Sequence, residues 1–461
     1  MNSWNTDNLK PELYDLSATD AIRAVRSGKA SPREIAESCI ERIKVIEPRL
    51  KAWAAFEPDL LLEQFDHLEA RRRETGEFPQ LAGALFGVKD IFNTETLNTE
   101  MGSELWSGFS PGNDARAVFM MRYAGACLAG KTVTAEFAVH HPGETLNPYG
   151  ETLSAGTSSG ASAVAVATGM VPVSLGTQTA GSTIRPASYL GVYGMKPSFG
   201  LVPRTGVLKT ADTLDHVSFF ARTVCDLKLT LNATRVSGAN HPFIHKCVDK
   251  RPRKSRDAAK RIAMVKGPKW SDAESYAQES LHTFANVLGG LPNIDCIEYD
   301  LPAAFSEIFD IHQIIYTKSL SYYFAHEIEQ PDKISRSFRE MTNAGRSITA
   351  DEFRECLAAQ TRLSQEMDSW LSKYDAVITL AAAGEAPEGR DAPDRPDNCL
   401  IWTFCGVPSV NLPIGFGPEK LPLGVQIIAP KYHDLDLLDL LAEFEDEGAV
   451  APAAVVEPIF D

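Results

Sequence analysis

Apolar and polar positions along this chain follow a pattern that changes character twice. The first seventy-odd residues predict helices. "SATDAIRAVRSG" sets apolar residues at helical spacing behind Ser17, whose hydroxyl can accept from the free N–H groups of a first turn. "SPREIAESCIERIKVIEPRL" opens with Ser31-Pro32-x-Glu34, the spacing of a reciprocal cap, and "DLLLEQFDHLEARRRETG" runs to a stop at Gly76. Beyond this, short apolar runs ("ALFGVKDIF", "CLAGKT", "VPVSLG", "GVYGMKP") alternate with helical stretches such as "DARAVFMMRYAGA", which predicts an α/β sheet. Roughly Asp272 to Tyr374 reads as mainly helical. Strand-like runs then return at "DAVITLAAA", "PSVNLPIG" and "PLGVQIIAP", before a last helix in "HDLDLLDLLAEFEDEG". The final sheet strands are therefore expected from far down the chain.

Composition narrows the function classes. A length of 461 residues is enough for a large core, and the net charge of -16 argues against a general phosphate-backbone binder. The one basic run, "KRPRKSRDAAKR" from Lys250 to Arg261, is read as a solvated linker. No run of 18 apolar residues is present, and the N-terminal stretch lacks a signal-peptide pattern, so neither membrane nor secretion is expected. The eight cysteines are scattered without a C-x-x-C pair, which suggests reduced thiols in the cytoplasm. No metal motif is found, and His140-His141 read as loop residues. The Pro/acidic stretch from Gly384 to Asn398, just after a strand end, is expected at a pocket rim.

Gly156-Thr157-Ser158-Ser159-Gly160 matches G-x-S-x-G, the nucleophile elbow of α/β-hydrolases. An elbow needs an apolar strand before it, and "HHPGETLNPYGETLS" reads as loop. Nor is the run a plain linker, because "ASAVAVATGMVPVSLG" follows at once with core texture. A second small-residue loop, "GTQTAGSTIRP", lies beyond it and offers Ser182. Two such loops around one helix-strand unit look like a built site.

The block "SAGTSSGASAVAVATGMVPVSLGTQTAGSTIRPASYLGVYGMKPSFG", with upstream "FGVKDIF" and "GKTVTAEF" and downstream "FARTVCD", resembles the amidase signature family. The resemblance covers roughly residues 85–231. It implies a Ser-cisSer-Lys triad on a large mixed sheet flanked by helices on both faces, with a helical N-terminal segment. A single domain over 1–461 would comprise that segment (1–76), a catalytic block (85–231), a mainly helical insertion (272–374) and the final strands and helix (375–461). By position, the lysine of "GVKD" is Lys89, the first serine of "TSSG" is Ser158 and the serine of "TAGST" is Ser182.

In that chemistry Ser182 attacks the amide carbonyl, Ser158 relays its proton to Lys89, and the N–H groups of Thr179, Ala180, Gly181 and Ser182 receive the oxyanion. Lys89 must then be neutral at rest, with its pKa lowered by about 3 units, and Asp90 must point elsewhere. The competing roles are ordinary ones: a surface position for Lys89, helix capping for Ser158 and Ser182. The resemblance also implies a cis peptide before Ser158.

Gln178, Ala180, Ala161 and Val133 depart from the family pattern. They favour a stand-alone amidase over the glutamine-hydrolysing subunit of a tRNA-dependent amidotransferase, while the intact Lys89, Ser158 and Ser182 speak against a catalytically silent scaffold. Arg185, three residues after Ser182, resembles the carboxylate receptor of the malonamidase-like branch, with an internal salt bridge as its alternative role. Met101, Gly102 and Ser103 are further candidates for lining the pocket. The expected partner is a small amide bearing a carboxylate. No cofactor, metal, nucleic acid or membrane is called for, and a homodimer is the candidate assembly.

Overall fold

A computed structural model describes residues 12–390 and 398–460. Residues 1–11 of the N-terminal stretch and 391–397 of the Pro/acidic loop lie outside the described residues. Among those described, eleven strands form one mixed sheet: β1 (Trp53–Phe56), β2 (Leu85–Lys89), β3 (Cys127–Thr132), β4 (Val173–Gln178), β5 (Tyr193–Lys196), β6 (His216–Ala221), β7 (Lys260–Lys266), β8 (Ile294–Asp300), β9 (Ala376–Leu380), β10 (Ser409–Phe416) and β11 (Pro422–Ile428). Their order is β1-β3-β2-β4-β6-β5-β10-β11-β9-β7-β8. Strand β2 runs parallel to both β3 and β4, and β7 runs parallel to both β8 and β9. The other neighbours pair antiparallel.

The helices are α1 (Ala18–Ser27), α2 (Pro32–Leu50), α3 (Pro58–Thr75), α4 (Arg116–Tyr123), α5 (Gly160–Ala167), α6 (Ile184–Leu190), α7 (Val224–Thr234), one-turn α8 (Pro242–Ile244), α9 (Ser275–Gly289), α10 (Ile308–Tyr323), α11 (Arg336–Ser347), α12 (Ala350–Leu371), α13 (Leu400–Phe404) and α14 (Asp434–Asp446). The helical starts sit where the sequence puts them. Ser17 Oγ accepts from Asp20 N at 3.0 Å, Ser31 and Glu34 cap reciprocally, and α3 stops at Gly76 with φ of 81°.

Side chains alternate across a strand, and that alternation builds two cores. Phe86, Val88, Leu128, Leu175 and Phe219 join α4, α7, α10, α12 and α14 on one face. Leu85, Cys127, Ala129 and Phe220 join α2, α3, α5 and α6 on the other. Among the described residues no helix is long and apolar enough to cross a membrane.

Three strands correct the sequence expectations. Four-residue β1 lies within the stretch read as helical, too short to show a period. Strand β8 lies within the mainly helical 272–374 region. It is the sheet's edge strand, half-exposed and carrying Asp295, Glu298 and Asp300, so it lacks the apolar texture of a buried strand. Strand β7 begins at Lys260, inside the basic run read as linker.

The run as a whole straps across α14. Arg253 pairs with Asp439 (2.6 Å), Arg256 with Asp446 (2.6 Å) and Lys260 with Glu443 (2.8 Å), while Lys254 reaches Asp375 (2.5 Å). Most of its positive charge is met by acidic side chains within the protein.

Candidate active site

Parallel neighbours β2 and β4 end side by side, and a crevice at strand carboxyl ends is the usual ligand position in such sheets. Lys89 is the last residue of β2. It shares a face with Leu85 and Gly87, the face covered by α5. That helix, "GASAVAVA", is apolar or small all round and every residue of it is buried, which lets it pack closely on the sheet. Lys89 is consequently 0% exposed, which excludes a surface role.

Its Nζ lies 2.6 Å from Ser158 Oγ, 3.0 Å from Ser159 Oγ and 3.2 Å from Thr177 Oγ1. Among the described residues its hydrogen-bond partners are three hydroxyls and no carboxylate. Asp90 turns the other way: its carboxylate stands 2.8 Å from Lys131 Nζ and accepts the Glu100 N–H at 3.1 Å. Burial brings the Lys89 ammonium down from 10.5 to about 7, against the opposing pull of Asp215. Lys131, equally enclosed on the adjacent strand, is also lowered by burial but is held by its Asp90 partner.

Hydrogen-bond directions follow from valence. Ser159 Oγ donates to Thr177 O at 3.0 Å, so it accepts from Lys89. A neutral amine has two N–H groups and one lone pair. With Ser159 and Thr177 taking the N–H groups, the lone pair remains for Ser158 O–H, the shortest contact.

Ser158 is buried, and the Thr157–Ser158 peptide is cis. Neither candidate serine caps a helix: the N-cap residues of α5 and α6 are Ser159 and Thr183. Ser182 is half-buried in the turn between β4 and α6. Among the described residues its Oγ makes no hydrogen bond, so the network from Lys89 stops at Ser158.

The turn from Thr179 to Ser182 is held from outside. Thr179 Oγ1 donates to Asp215 at 2.8 Å, and Asp215 is itself fixed by Thr210 and by the Ala211 N–H. Thr179 O accepts from His312 Nε2 at 2.9 Å, and Gly181 O accepts from Arg185 N at 3.0 Å. Ala180 O accepts from Thr403 Oγ1 at 2.6 Å. Gln178 Oε1 takes the N–H groups of Thr183 (2.8 Å) and Ile184 (3.0 Å), while its Nε2 donates to Thr403 Oγ1 at 2.9 Å. Among the described residues, the N–H groups of Ala180, Gly181 and Ser182 donate to no protein acceptor.

Arg185 is buried on α6, and its Nη2 donates to Thr157 O at 2.8 Å, bracing the loop that carries Ser158. Met101 and Gly102 form a turn with φ of 59° and 67°. A Cβ on Gly102 would meet Thr134 O at 2.9 Å. Ser103 Oγ accepts from Leu105 N at 3.4 Å. Gly102 borders a cavity of about 320 Å³ with Trp53, Val133 and Glu136, next to the smaller one lined by Thr157, Ser158 and Arg390. The described arm of the Pro/acidic loop thus reaches the Ser158 side. Sequence reasoning missed Thr177, Ser159, Asp215, His312 and Thr403. The last three lie 36, 133 and 223 positions from their partners in the turn, and no local pattern marks them.

A family model described as Amidase matches residues 34–438, and the chain belongs to that amidase (amidase signature) family. It is thereby one of the enzymes that hydrolyse amide bonds. A glutamyl-tRNA(Gln) amidotransferase subunit from Koribacter versatilis (strain Ellin345) is 27% identical over 91% of this chain and 96% of its own length. An inhibitor-bound chain from a vestigial protein complex, described as revealing the origins of an s-triazine catabolic enzyme, shares the fold with a TM-score of 0.84. It is 24% identical, covering 95% of this chain and 100% of that one. The peptide amidase PAM with chymostatin superimposes with a TM-score of 0.82 at 23% identity, covering 97% and 99%.

Proposed function

We propose that this amidase cleaves a small, carboxylate-bearing amide through an acyl-enzyme on Ser182. The observation that carries the proposal is Lys89: sealed from solvent, facing three hydroxyls and lowered to about 7, it is a base at neutral pH. Ser182 Oγ attacks the carbonyl carbon as its proton passes to Ser158 Oγ and the Ser158 proton passes to Lys89 Nζ. The link from Ser158 to Ser182 closes when substrate is bound, as catalytic hydrogen bonds often do. Backbone N–H groups from Thr179 to Ser182 hold the oxyanion. The C–N bond then breaks as Lys89 returns a proton through Ser158 to the leaving nitrogen. Water, deprotonated by the same route, hydrolyses the ester.

A substrate carboxylate is supported by Arg185, a permanently charged guanidinium buried three residues from Ser182. The 101–103 turn is proposed as a wall of the substrate cavity. Eight free cysteines suit a reducing, cytoplasmic setting. A second reading, the glutamine-hydrolysing subunit of an amidotransferase, is favoured by the likeness to the Koribacter versatilis protein across nearly the whole chain. Against it stand Gln178 and Ala180, where the turn departs from that group. Ammonia release from short acid-amides, ureido acids, aryl amides and glutamine separates the two. Turnover of an acid-amide, lost in Ser182→Ala and weakened at least tenfold in kcat/KM by Arg185→Ala, supports the first, and turnover of glutamine alone supports the second.

A further inference from the structure

The turn before Ser182 is braced by side chains from two distant helices, His312 on α10 and Thr403 on α13. Within one planar trans peptide the C=O and N–H point in opposite directions. Pinning a carbonyl oxygen therefore aims the next residue's N–H. Thr179 O is held by His312 Nε2 at 2.9 Å, which sets the direction of the Ala180 N–H. Ala180 O is held by Thr403 Oγ1 at 2.6 Å, which sets the direction of the Gly181 N–H. A carbonyl oxygen only accepts, so His312 carries a proton on Nε2.

Thr403 has one hydroxyl proton, and its closest acceptor is Ala180 O; Cys399 O is farther, at 3.2 Å. Gln178 leaves that proton free for the carbonyl, because its Nε2 donates to Thr403 Oγ1 at 2.9 Å and does not accept from it. A carboxylate at 178 could still accept from Thr183 and Ile184 but would compete for the Thr403 proton. Gln178, Thr403 and the turn thus form a one-way chain of donors ending on the Ala180 carbonyl. Chains of this kind polarise each successive bond, which strengthens the Gly181 N–H of the same peptide as a donor.

We infer that Thr403 and His312 are positioning residues that aim the Ala180 and Gly181 N–H groups at the developing oxyanion, and that Gln178 sets the hydrogen-bond direction this requires. The inference rests on Ser182 being the nucleophile. On this chain the side chain at 178 must donate as well as accept, and Gln178 does both, through Nε2 and Oε1. It also gives the mainly helical insertion a part in the chemistry, because α10 supplies the His312 ring.

The test is the labelling rate of the full-length protein by an alkyl fluorophosphonate, whose phosphonylation develops the same oxyanion, resolved into KI and kinact. Thr403→Val keeps the side-chain shape and removes the donor. It is expected to lower kinact by about tenfold to a hundredfold, the range for a displaced or lost oxyanion donor, with KI unchanged. Thr403→Ser restores the donor and is expected to recover kinact to within about threefold. Should Thr403→Val fail to fold, Gln178→Glu perturbs the same bond while keeping the acceptors for Thr183 and Ile184. The same fall in kinact is expected, and a kinact equal to that of the parent overturns the proposal. His312→Leu is expected to lower kinact in the same way. A folded Thr403→Val protein that labels as fast as the parent, whatever its Tm, also overturns the proposal. Undiminished labelling of Ser182→Ala overturns instead the assignment of the nucleophile.

Discussion

Replacing Lys89 with methionine should destroy activity and yet stabilise the fold at neutral and acid pH. In the unfolded chain the lysine holds its proton up to about 10.5, whereas in the folded protein burial brings it down to about 7. At roughly 1.4 kcal/mol for each tenfold loss of proton affinity, enclosing the ammonium costs on the order of 5 kcal/mol. Methionine removes that cost but leaves Ser158, Ser159 and Thr177 without their nitrogen partner, at about 1 kcal/mol each. The net expectation is a gain of about 2 kcal/mol. Its pH dependence fixes the cause. Between about 7 and 10.5 the unfolded state binds more protons than the folded state, so parent stability rises with pH across that window. The methionine variant's advantage is therefore largest below pH 7 and shrinks toward pH 10. Urea unfolding of both proteins at pH 6, 7.5 and 9 measures it. A variant less stable than the parent at pH 6, with a gap that does not change with pH, would refute the claim that Lys89 is an uncompensated buried amine.

Three further outcomes follow from the same structure. The parent's kcat/KM should rise with pH to an inflection near 7 and level above it, as Lys89 loses its proton; a rate that falls through that range contradicts the assignment of the base. Gly156→Ala should cost roughly 2 kcal/mol or more in chemical denaturation, because φ there is 80° and the new Cβ would meet Pro186 at 2.8 Å. Lys260→Ala breaks a nearly enclosed pair with Glu443 and should cost roughly 2–4 kcal/mol, whereas Arg256→Ala, at an exposed pair with Asp446, should leave Tm unchanged; equal effects would contradict the burial argument.

How much of this was legible in the sequence depended on distance along the chain. Helix caps at Ser17 and Ser31 and the stop at Gly76 are local chemistry and stand where the residues put them. Buried strands such as β4 and β11 announced themselves as apolar runs. Edge strand β8 did not, because one face meets water and its alternation includes acidic residues. Lys89, Ser158 and Ser182 could be nominated because their motifs resemble a family's in order and separation. Nothing local marks His312 or Thr403, each of which reaches the turn through one hydrogen bond from a distant helix. The basic run and the last helix were each visible, but their pairing across some 190 positions exists only in the fold.

The most direct test of the account is the site of covalent attachment. Incubating the parent with an alkyl fluorophosphonate, then mapping the adduct by peptide mass spectrometry, should place one phosphonyl group on Ser182. Its rate of attachment should rise through pH 7 and collapse in Lys89→Met. An adduct on Ser158, or one formed at Ser182 equally fast without Lys89, would contradict the central claim that a neutral Lys89 drives Ser182 through Ser158.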